Sequence, residues 1–110
     1  MTNQVVLIVR FRVKATSRTL LVEKLVEVFE TIRHEDTFVN ATLHEDIEDP
    51  EKLLVYEVWQ ESRESFMLNQ FPKPYRAAFE RAILDLKVER TGQWLKPIFA
   101  FLPARGRAES

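Results

Sequence analysis

The chain has 110 residues, of which 45% are hydrophobic and 30% charged, the balance typical of one soluble globular domain. Its net charge of -1 argues against nucleic acid or an anionic membrane as the main partner. With no Cys, two His and two Gly, the sequence predicts no disulfide, no metal site and no glycine-rich phosphate loop. No apolar run approaches the roughly 20 residues of a membrane span. The apolar stretch Val5–Val9 is too short for a signal peptide, so we expect a cytoplasmic protein.

The first part of the chain predicts a strand followed by a helix. Residues Gln4–Lys14 alternate branched apolar side chains on one face, a pattern that favours a strand. Thr16 or Ser17 can cap a helix that runs to about residue 34. Apolar residues recur in that helix at spacings of three and four, which indicates a face packed on a core.

Two further strands follow, joined by an acidic turn. Thr37–Asp46 is predicted as the second strand, and Leu53–Trp59 as the third. The turn between them, Asp46–Glu51, contains Pro50 and is expected to be solvated. Strict alternation in the second strand places four side chains on one face: Phe38, Asn40, Thr42 and His44.

The last third of the chain predicts two helices and a strand. Ser62 can cap a short helix that ends near residue 70, and Pro74 suits the first turn of the next one. Gly92 is typical of a helix end. Gln93–Phe99 is predicted as a final strand, which Pro97 confines to the edge of the sheet or to a bulge.

The predicted element order is β-α-β-β-α-α-β, which indicates an α+β, ferredoxin-like fold: an antiparallel sheet with helices on one face. Residues 1–102 form this domain, and residues 103–110 form a flexible tail. The other sheet face also carries apolar residues, among them Leu54, Tyr56 and Val58. Since a chain of this length has nothing left to cover that face, we expect a homodimer.

A candidate pocket depends on how the second and third strands pair. If their faces match in a hairpin, six side chains line a cavity under the helices: Phe38, Asn40, Thr42, His44, Glu57 and Trp59. Arg10 and Arg12 on the first strand could join them. Apolar walls with a few polar groups suit a flat aromatic ligand. The alternatives are that Trp59 belongs to the core and that His44 lies at the surface.

The segment from Glu35 to Trp59 resembles the antibiotic biosynthesis monooxygenase family. The resemblance rests on Glu35 after the first helix, on Leu43-His44-Glu45-Asp46 at the end of the second strand, and on Asp49-Pro50 in the turn. Its most specific part is the run Tyr56-Glu57-Val58-Trp59. The layout of elements extends it from about residue 5 to about residue 98.

This resemblance implies a dimeric α+β barrel and a cofactor-free oxygenase. Such enzymes oxidise quinols and polycyclic phenols with dioxygen, and the substrate supplies the electrons, so neither flavin nor metal is required. It implies that Trp59 walls the pocket and that Asn40 or His44 bonds the phenol or takes its proton. We therefore take Asn40, His44 and Trp59 as catalytic candidates. The substrate-binding candidates are Phe38, Thr42, Glu57, Phe66 and Asn69.

Three positions depart from the family pattern. Thr37 stands where a Gly is common, Ala41 where a Tyr is frequent, and Asn69 where a His is common. Asn69 argues against haem degradation, because that His ligates iron in the related haem-degrading branch. These departures keep two other functions open: a non-catalytic ligand-binding dimer, and an isomerase with His44 as its base.

Overall fold

The computed structural model describes residues 3–104, which form a four-stranded antiparallel sheet with three helices. The elements are β1 (Val5–Arg12), α1 (Arg18–Ile32), β2 (Phe38–Glu45), β3 (Lys52–Trp59), α2 (Arg63–Asn69), α3 (Tyr75–Asp85) and β4 (Glu89–Leu95). A short 3-10 turn, Ala15–Ser17, precedes α1. The strand order is β2-β3-β1-β4, and every pairing is antiparallel. The predicted ferredoxin-like fold is confirmed.

The core lies between one face of the sheet and the helices. β1 is central, and its Val9 pairs with Val55 of β3 on one side and with Gly92 of β4 on the other. Leu21 and Leu25 of α1 are buried against this face in the main core cluster. Burial of each such aliphatic side chain is worth about 1.5–3 kcal/mol, so the periodic apolar stripe of α1 holds the helix on the sheet.

A bulge at the start of β2 changes which side chains share a face. Phe38 pairs with Trp59 and Asn40 pairs with Val58, so Val39 is an extra residue between two neighbouring pairs. An extra residue shifts the alternation by one, because two residues on one strand then oppose one on its partner. Phe38 therefore lies on the helix side with Trp59, and the prediction that it shares a face with Asn40 is wrong.

The last strand begins earlier than the sequence predicts. α3 ends at Asp85, and Lys87 has a φ of 55°, the left-handed conformation that usually favours glycine. Lys87 reverses the chain just after the helix, so that β4 begins at Glu89. The expectation that Gly92 ends a helix is wrong, because Gly92 lies within β4, and Pro97 follows the strand instead of interrupting it.

The sheet face opposite the helices is here called the open face, and its apolar part consists of Val6, Ile8, Leu54, Tyr56 and Val58. Val6 pairs with Val58, and Ile8 pairs with Tyr56, so the four side chains form one continuous patch. Tyr56 is 37% exposed, Ile8 and Leu54 are partly exposed, and Val6 and Val58 are buried. None of the five belongs to the two core clusters that include helical residues. An apolar open face agrees with the expected homodimer, which stays a prediction.

Beyond β4 the described chain continues as an apolar segment without regular structure. Ile98, Phe99, Phe101 and Leu102 are each at least 80% exposed. The predicted flexible tail, residues 103–110, lies almost entirely outside the described residues. Within residues 3–104, no helix combines the length and apolarity needed to cross a membrane.

Candidate active site

A cavity of about 320 Å3 lies between the sheet and the helices. This volume is at the lower end of the roughly 300–1,000 Å3 typical of small-molecule sites. Aromatic side chains form much of its wall: Phe11, Phe29, Phe66, Phe71, Phe79 and Trp94. Four charged side chains also reach it: Glu57, Arg76, Glu80 and Arg90. Apolar walls with a few polar groups suit a small aromatic ligand.

Glu57 is a buried carboxyl on the wall of this cavity, only 5% exposed. The alternation of β3 places it on the helix side together with Trp59, and Nε1 of Trp59 donates a hydrogen bond to its Oε1 at 2.9 Å. Burial raises the pKa of the Glu57 carboxyl, because loss of solvation disfavours the charged form; the Trp59 bond and the charge of Arg76 act in the opposite direction. A carboxyl with a raised pKa is suited to proton transfer with a weak acid.

A row of four aromatic rings runs from the entry of β2 to β4. The ring of Trp59 meets that of Phe38 with centroids 5.4 Å apart and that of Phe66 at 5.1 Å. Phe66 in turn meets Trp94 at 5.3 Å. All three contacts are edge-to-face, an arrangement worth about 0.5–1.5 kcal/mol each beyond the burial itself. The row therefore holds Phe66 and Trp94 firmly in the cavity wall.

Arg76 lies in the first turn of α3 and extends into the same cavity. Its guanidinium carbon is 5.1 Å from the ring centre of Phe66 and 5.2 Å from that of Tyr75. Its Nε and Nη2 atoms are buried and have no hydrogen-bond partner among the described residues; the same holds for the Tyr75 hydroxyl. Burial raises the pKa of Tyr75, and the charge of Arg76 partly offsets this.

Two polar contacts secure the elements around the cavity. Glu61 is buried and accepts hydrogen bonds from the hydroxyls of Thr37 at 2.7 Å and Ser65 at 2.5 Å, which joins α2 to the start of β2. Nζ of Lys73 donates to both carboxylate oxygens of Glu35 at 3.0 Å, which joins the loop before α3 to the end of α1. These contacts add to the apolar packing that holds α2 and α3 over the sheet.

Three of the predicted site residues lie on the other side of the sheet. Asn40, Thr42 and His44 pair with the open-face residues of β3 and are exposed. The expected match of their face with that of Glu57 and Trp59 is wrong, because the bulge at Val39 and the cross-strand register separate the two sets. Ala41 and Leu43 lie opposite the helix-facing residues of β3 instead.

The remaining predicted residues divide between the cavity wall and its surroundings. Glu57 and Phe66 line the cavity, and their role in ligand binding stays a prediction. Trp59 is fully buried and lies behind this wall, where it contacts both of them. Phe38 packs on Trp59 from the outer side, and Asn69 is exposed with its amide donating to the Ser65 hydroxyl at 3.2 Å.

The sequence did not predict most of the cavity wall, and the two residues of it that matter most here are Arg76 and Trp94. Arg76 precedes Phe79 by three residues and Ile83 by seven, so it lies on the apolar stripe of α3. A cation on an apolar stripe is the sequence signal that could have identified it. Trp94 was placed in a strand with the wrong start. Its partner Leu7 on β1 shows that it faces the helices.

A second hollow, of about 690 Å3, lies at the sheet end formed by the end of β1 and the start of β3. His44, Arg10 and Arg12 line it, so these three residues are brought together away from Glu57. Among residues 3–104, no group of three or more His, Asp and Glu side chains could hold a metal ion.

Comparison with known proteins identifies relatives with this architecture. The family model described as antibiotic biosynthesis monooxygenase matches residues 4–81. A candidate monooxygenase of that family from Deinococcus radiodurans superposes with a TM-score of 0.81 at 20% identity, covering 90% of this chain and 97% of its own. SnoaB, a cofactor-independent oxygenase from Streptomyces nogalater, gives 0.77 at 16% identity, with 92% and 98% covered. Rv0793 from Mycobacterium tuberculosis gives 0.76 at 20% identity, with 88% and 97% covered. No curated protein sequence matches this chain significantly.

The match to the family model covers most of the chain. It includes the whole segment from Glu35 to Trp59, on which the predicted resemblance rests. The structural neighbours, at these low identities, share its fold over nearly their whole length. The chain therefore belongs to the antibiotic biosynthesis monooxygenase family.

Proposed function

We propose that this protein is a cofactor-independent monooxygenase that oxidises a small aromatic phenol or quinol with dioxygen. The observation that carries the proposal is the buried Glu57 carboxyl, bonded to Trp59 and placed at the wall of an aromatic cavity. Membership of the family supports an oxygenase, and the structural neighbour SnoaB is named as an oxygenase that works without a cofactor.

In the proposed reaction Glu57 accepts the proton of the phenolic hydroxyl. Its raised pKa brings it closer to the pKa of a phenol, which reduces the free energy needed for proton transfer. The electron-rich phenolate then gives electrons to dioxygen in the cavity, whose walls are largely aromatic. For a methylene carbon activated by the phenolate, one oxygen atom becomes a ketone oxygen and the other leaves as water, so the substrate supplies all four electrons.

The size of the cavity favours a substrate of one or two rings over a larger polycyclic phenol. Phe66 and Trp94, held by their edge contacts, offer flat surfaces against which such rings can pack. In this proposal Glu57 takes the proton-accepting role first expected of Asn40 or His44, since both of those residues are exposed on the other side of the sheet.

We also propose that two copies associate through the open face. Its apolar patch is continuous across β1 and β3 and reaches solvent chiefly at Tyr56, and an apolar surface outside the core is typical of a protein interface. An isologous dimer covers the patch of each copy with the same patch of the other, so that the sheets lie inside and the helices outside.

The test of the oxygenase proposal is dioxygen uptake with a panel of one-ring and two-ring hydroquinones, with an anthrone as a three-ring compound that we expect to react least. Removal of a general base lowers turnover by about 100-fold to 10,000-fold, so we expect a loss of that order in Glu57→Gln. Glu64→Gln, an exposed change on α2, is the matched control and keeps the wild-type rate. A product matched to the dioxygen consumed identifies the oxygenation.

Three results would argue against this function. Absence of uptake across the panel, with a ligand-dependent rise in Tm, would indicate the non-catalytic binding dimer. Turnover under anaerobic conditions that depends on His44 would indicate the isomerase. Unchanged turnover in Glu57→Gln would exclude Glu57 as the base even if the protein is an oxygenase.

A further inference from the structure

Arg76 has a buried cationic head in the cavity that the proposed oxygenase chemistry does not use. Its Nε and Nη2 atoms are shielded from solvent and have no partner among the described residues. Buried donors in native proteins are nearly always hydrogen-bonded, and leaving one unpaired costs about 1–3 kcal/mol or more when it is charged. Arg76 is also one of the residues that line the cavity, so an anionic group bound there can supply an acceptor that the described chain does not.

The other charged groups of the cavity already have partners. Arg90 binds Glu80 through both carboxylate oxygens, so these two charges offset each other. The carboxyl of Glu57 accepts the Trp59 N–H. None of the ion pairs formed by residues 3–104 includes Arg76. Its positive charge is therefore not neutralised by a direct ion pair within the described chain.

The position of Arg76 increases this imbalance. It stands in the first turn of α3, where the helix dipole disfavours a cation and favours an anion. The rings of Phe66 and Tyr75 flank the guanidinium at 5.1 and 5.2 Å and limit its movement. The buried hydroxyl of Tyr75 interacts with the guanidinium, and this interaction partly offsets the effect of burial on the pKa of Tyr75. Together these groups form a cationic corner of the cavity, and the Glu57 carboxyl is near enough for the charge of Arg76 to act on it.

We infer that Arg76 binds a carboxylate carried by the aromatic ligand, and that the substrate of this protein is a small aromatic acid with a phenolic hydroxyl. This inference deepens the proposed function. The phenolic hydroxyl of the ligand rests on that proposed function, whereas its carboxylate does not. The carboxylate lies against Arg76, the rings pack on Phe66 and Trp94, and the hydroxyl points to Glu57. Arg76 is thus a specificity-determining residue that orients the ligand for proton transfer, and the planar fork of a guanidinium suits a carboxylate better than an ammonium does.

The test compares naphthoate with naphthamide, two probes that share a shape and differ in charge, by isothermal titration calorimetry. We expect the wild type to bind naphthoate about tenfold or more tightly than naphthamide, as hydrogen bonds to a charged group are of this strength. Arg76→Gln removes the preference and weakens naphthoate binding much more than naphthamide binding, while Arg76→Lys keeps part of the preference. Arg81→Gln, an exposed change on the same helix, is the matched control and retains the full preference. Thermal melting of each variant confirms that it is folded.

The inference is overturned if the wild type binds both probes equally, binds neither, or if the preference persists in Arg76→Gln. Because neither probe is oxidised, the result does not depend on turnover. Charge selection at Arg76 without dioxygen uptake would remove the oxygenase proposal and leave the acid-binding site in place. The opposite result is that neutral quinols are oxidised at the same rate in wild type and Arg76→Gln and that neither protein shows a charge preference. It would remove the acid-binding site and leave the oxygenase proposal in place.

Discussion

Replacing Trp59 by Phe separates the hydrogen bond to Glu57 from the aromatic packing around it. The indole is fully buried, donates to the Glu57 carboxyl at 2.9 Å and makes edge contacts with Phe38 and Phe66. Phe retains an aromatic ring for both edge contacts. The variant therefore removes the N–H donor and some volume but leaves most of the aromatic row.

Two losses add in this variant. A buried carboxyl oxygen deprived of its donor costs about 1–3 kcal/mol, and the smaller ring leaves unfilled volume worth about 1–2 kcal/mol. We expect the free energy of unfolding to fall by about 2–5 kcal/mol, a large part of the roughly 5–15 kcal/mol typical of a domain. Such a loss lowers Tm by roughly 10 °C or more.

The loss depends on pH, because the Trp59 bond favours the charged form of Glu57. The pKa of Glu57 is already raised by burial, so its contribution to stability is fully present below the ordinary Glu value of about 4.3 and declines as pH rises to the folded pKa. Removing the donor raises that pKa further, so the decline continues to a higher pH in the variant. Its deficit relative to wild type is therefore larger at about pH 8 than at about pH 4.

Urea unfolding of wild type and Trp59→Phe at both pH values, at one fixed protein concentration, measures these differences. The same substitution is also made in the Glu57→Gln variant, which lacks the ionisable group. In that variant we expect Trp59→Phe to lower the free energy of unfolding by less, and by the same amount at both pH values. A deficit below about 1 kcal/mol, or one equal at the two pH values in the native background, would refute the hydrogen-bond reasoning.

Three further changes test other parts of the structure. Tyr56→Asp is expected to dissociate the proposed dimer, so that the light-scattering mass falls from about twice 13.0 kDa to 13.0 kDa. The control Leu84→Asp, on the exposed side of α3, leaves the mass unchanged. A wild-type mass of 13.0 kDa would contradict the dimer. Ser62→Ala removes the side-chain acceptor for the Ser65 N–H at the start of α2 and is expected to cost about 1 kcal/mol in chemical unfolding, and no loss would show that this cap adds nothing. Lys73→Ala breaks the partly exposed ion pair with Glu35, so we expect the free energy of unfolding to fall by at most about 1 kcal/mol, and by less in high salt. A loss that does not depend on salt would indicate that Lys73 stabilises the fold by packing instead.

The sequence predicted the element order well, because each element has its own periodic signal. The apolar stripe of α1 and the alternation of β1 are local patterns set by the backbone repeat, and both appear in the structure as predicted. Glu57 and Trp59 were placed on one face for the same reason, since residues two apart in a strand lie on the same side. The start of β4 was missed, because Lys87 adopts a conformation for which its residue type carries no signal.

The composition of the site could not be read from local patterns. A single extra residue at Val39 places Phe38 on the helix side and Asn40 and His44 on the open face. Such a bulge depends on how two strands pair, and the alternation of residues within one strand does not predict it. Arg76 and Trp94 come from elements far apart in the chain and meet only when α3 packs over the sheet.

The sequence by itself determined the family, the order of helices and strands, and the shared face of Glu57 and Trp59 on β3, because these depend on short motifs and on the repeats of helix and strand. Only the tertiary structure decided which polar groups share the cavity, since this follows from register and from how helices lie on the sheet. Burial then changed their chemistry: exclusion of water raises the pKa of Glu57 and leaves the donors of Arg76 without a partner among the described residues, and neither effect exists until the chain is folded.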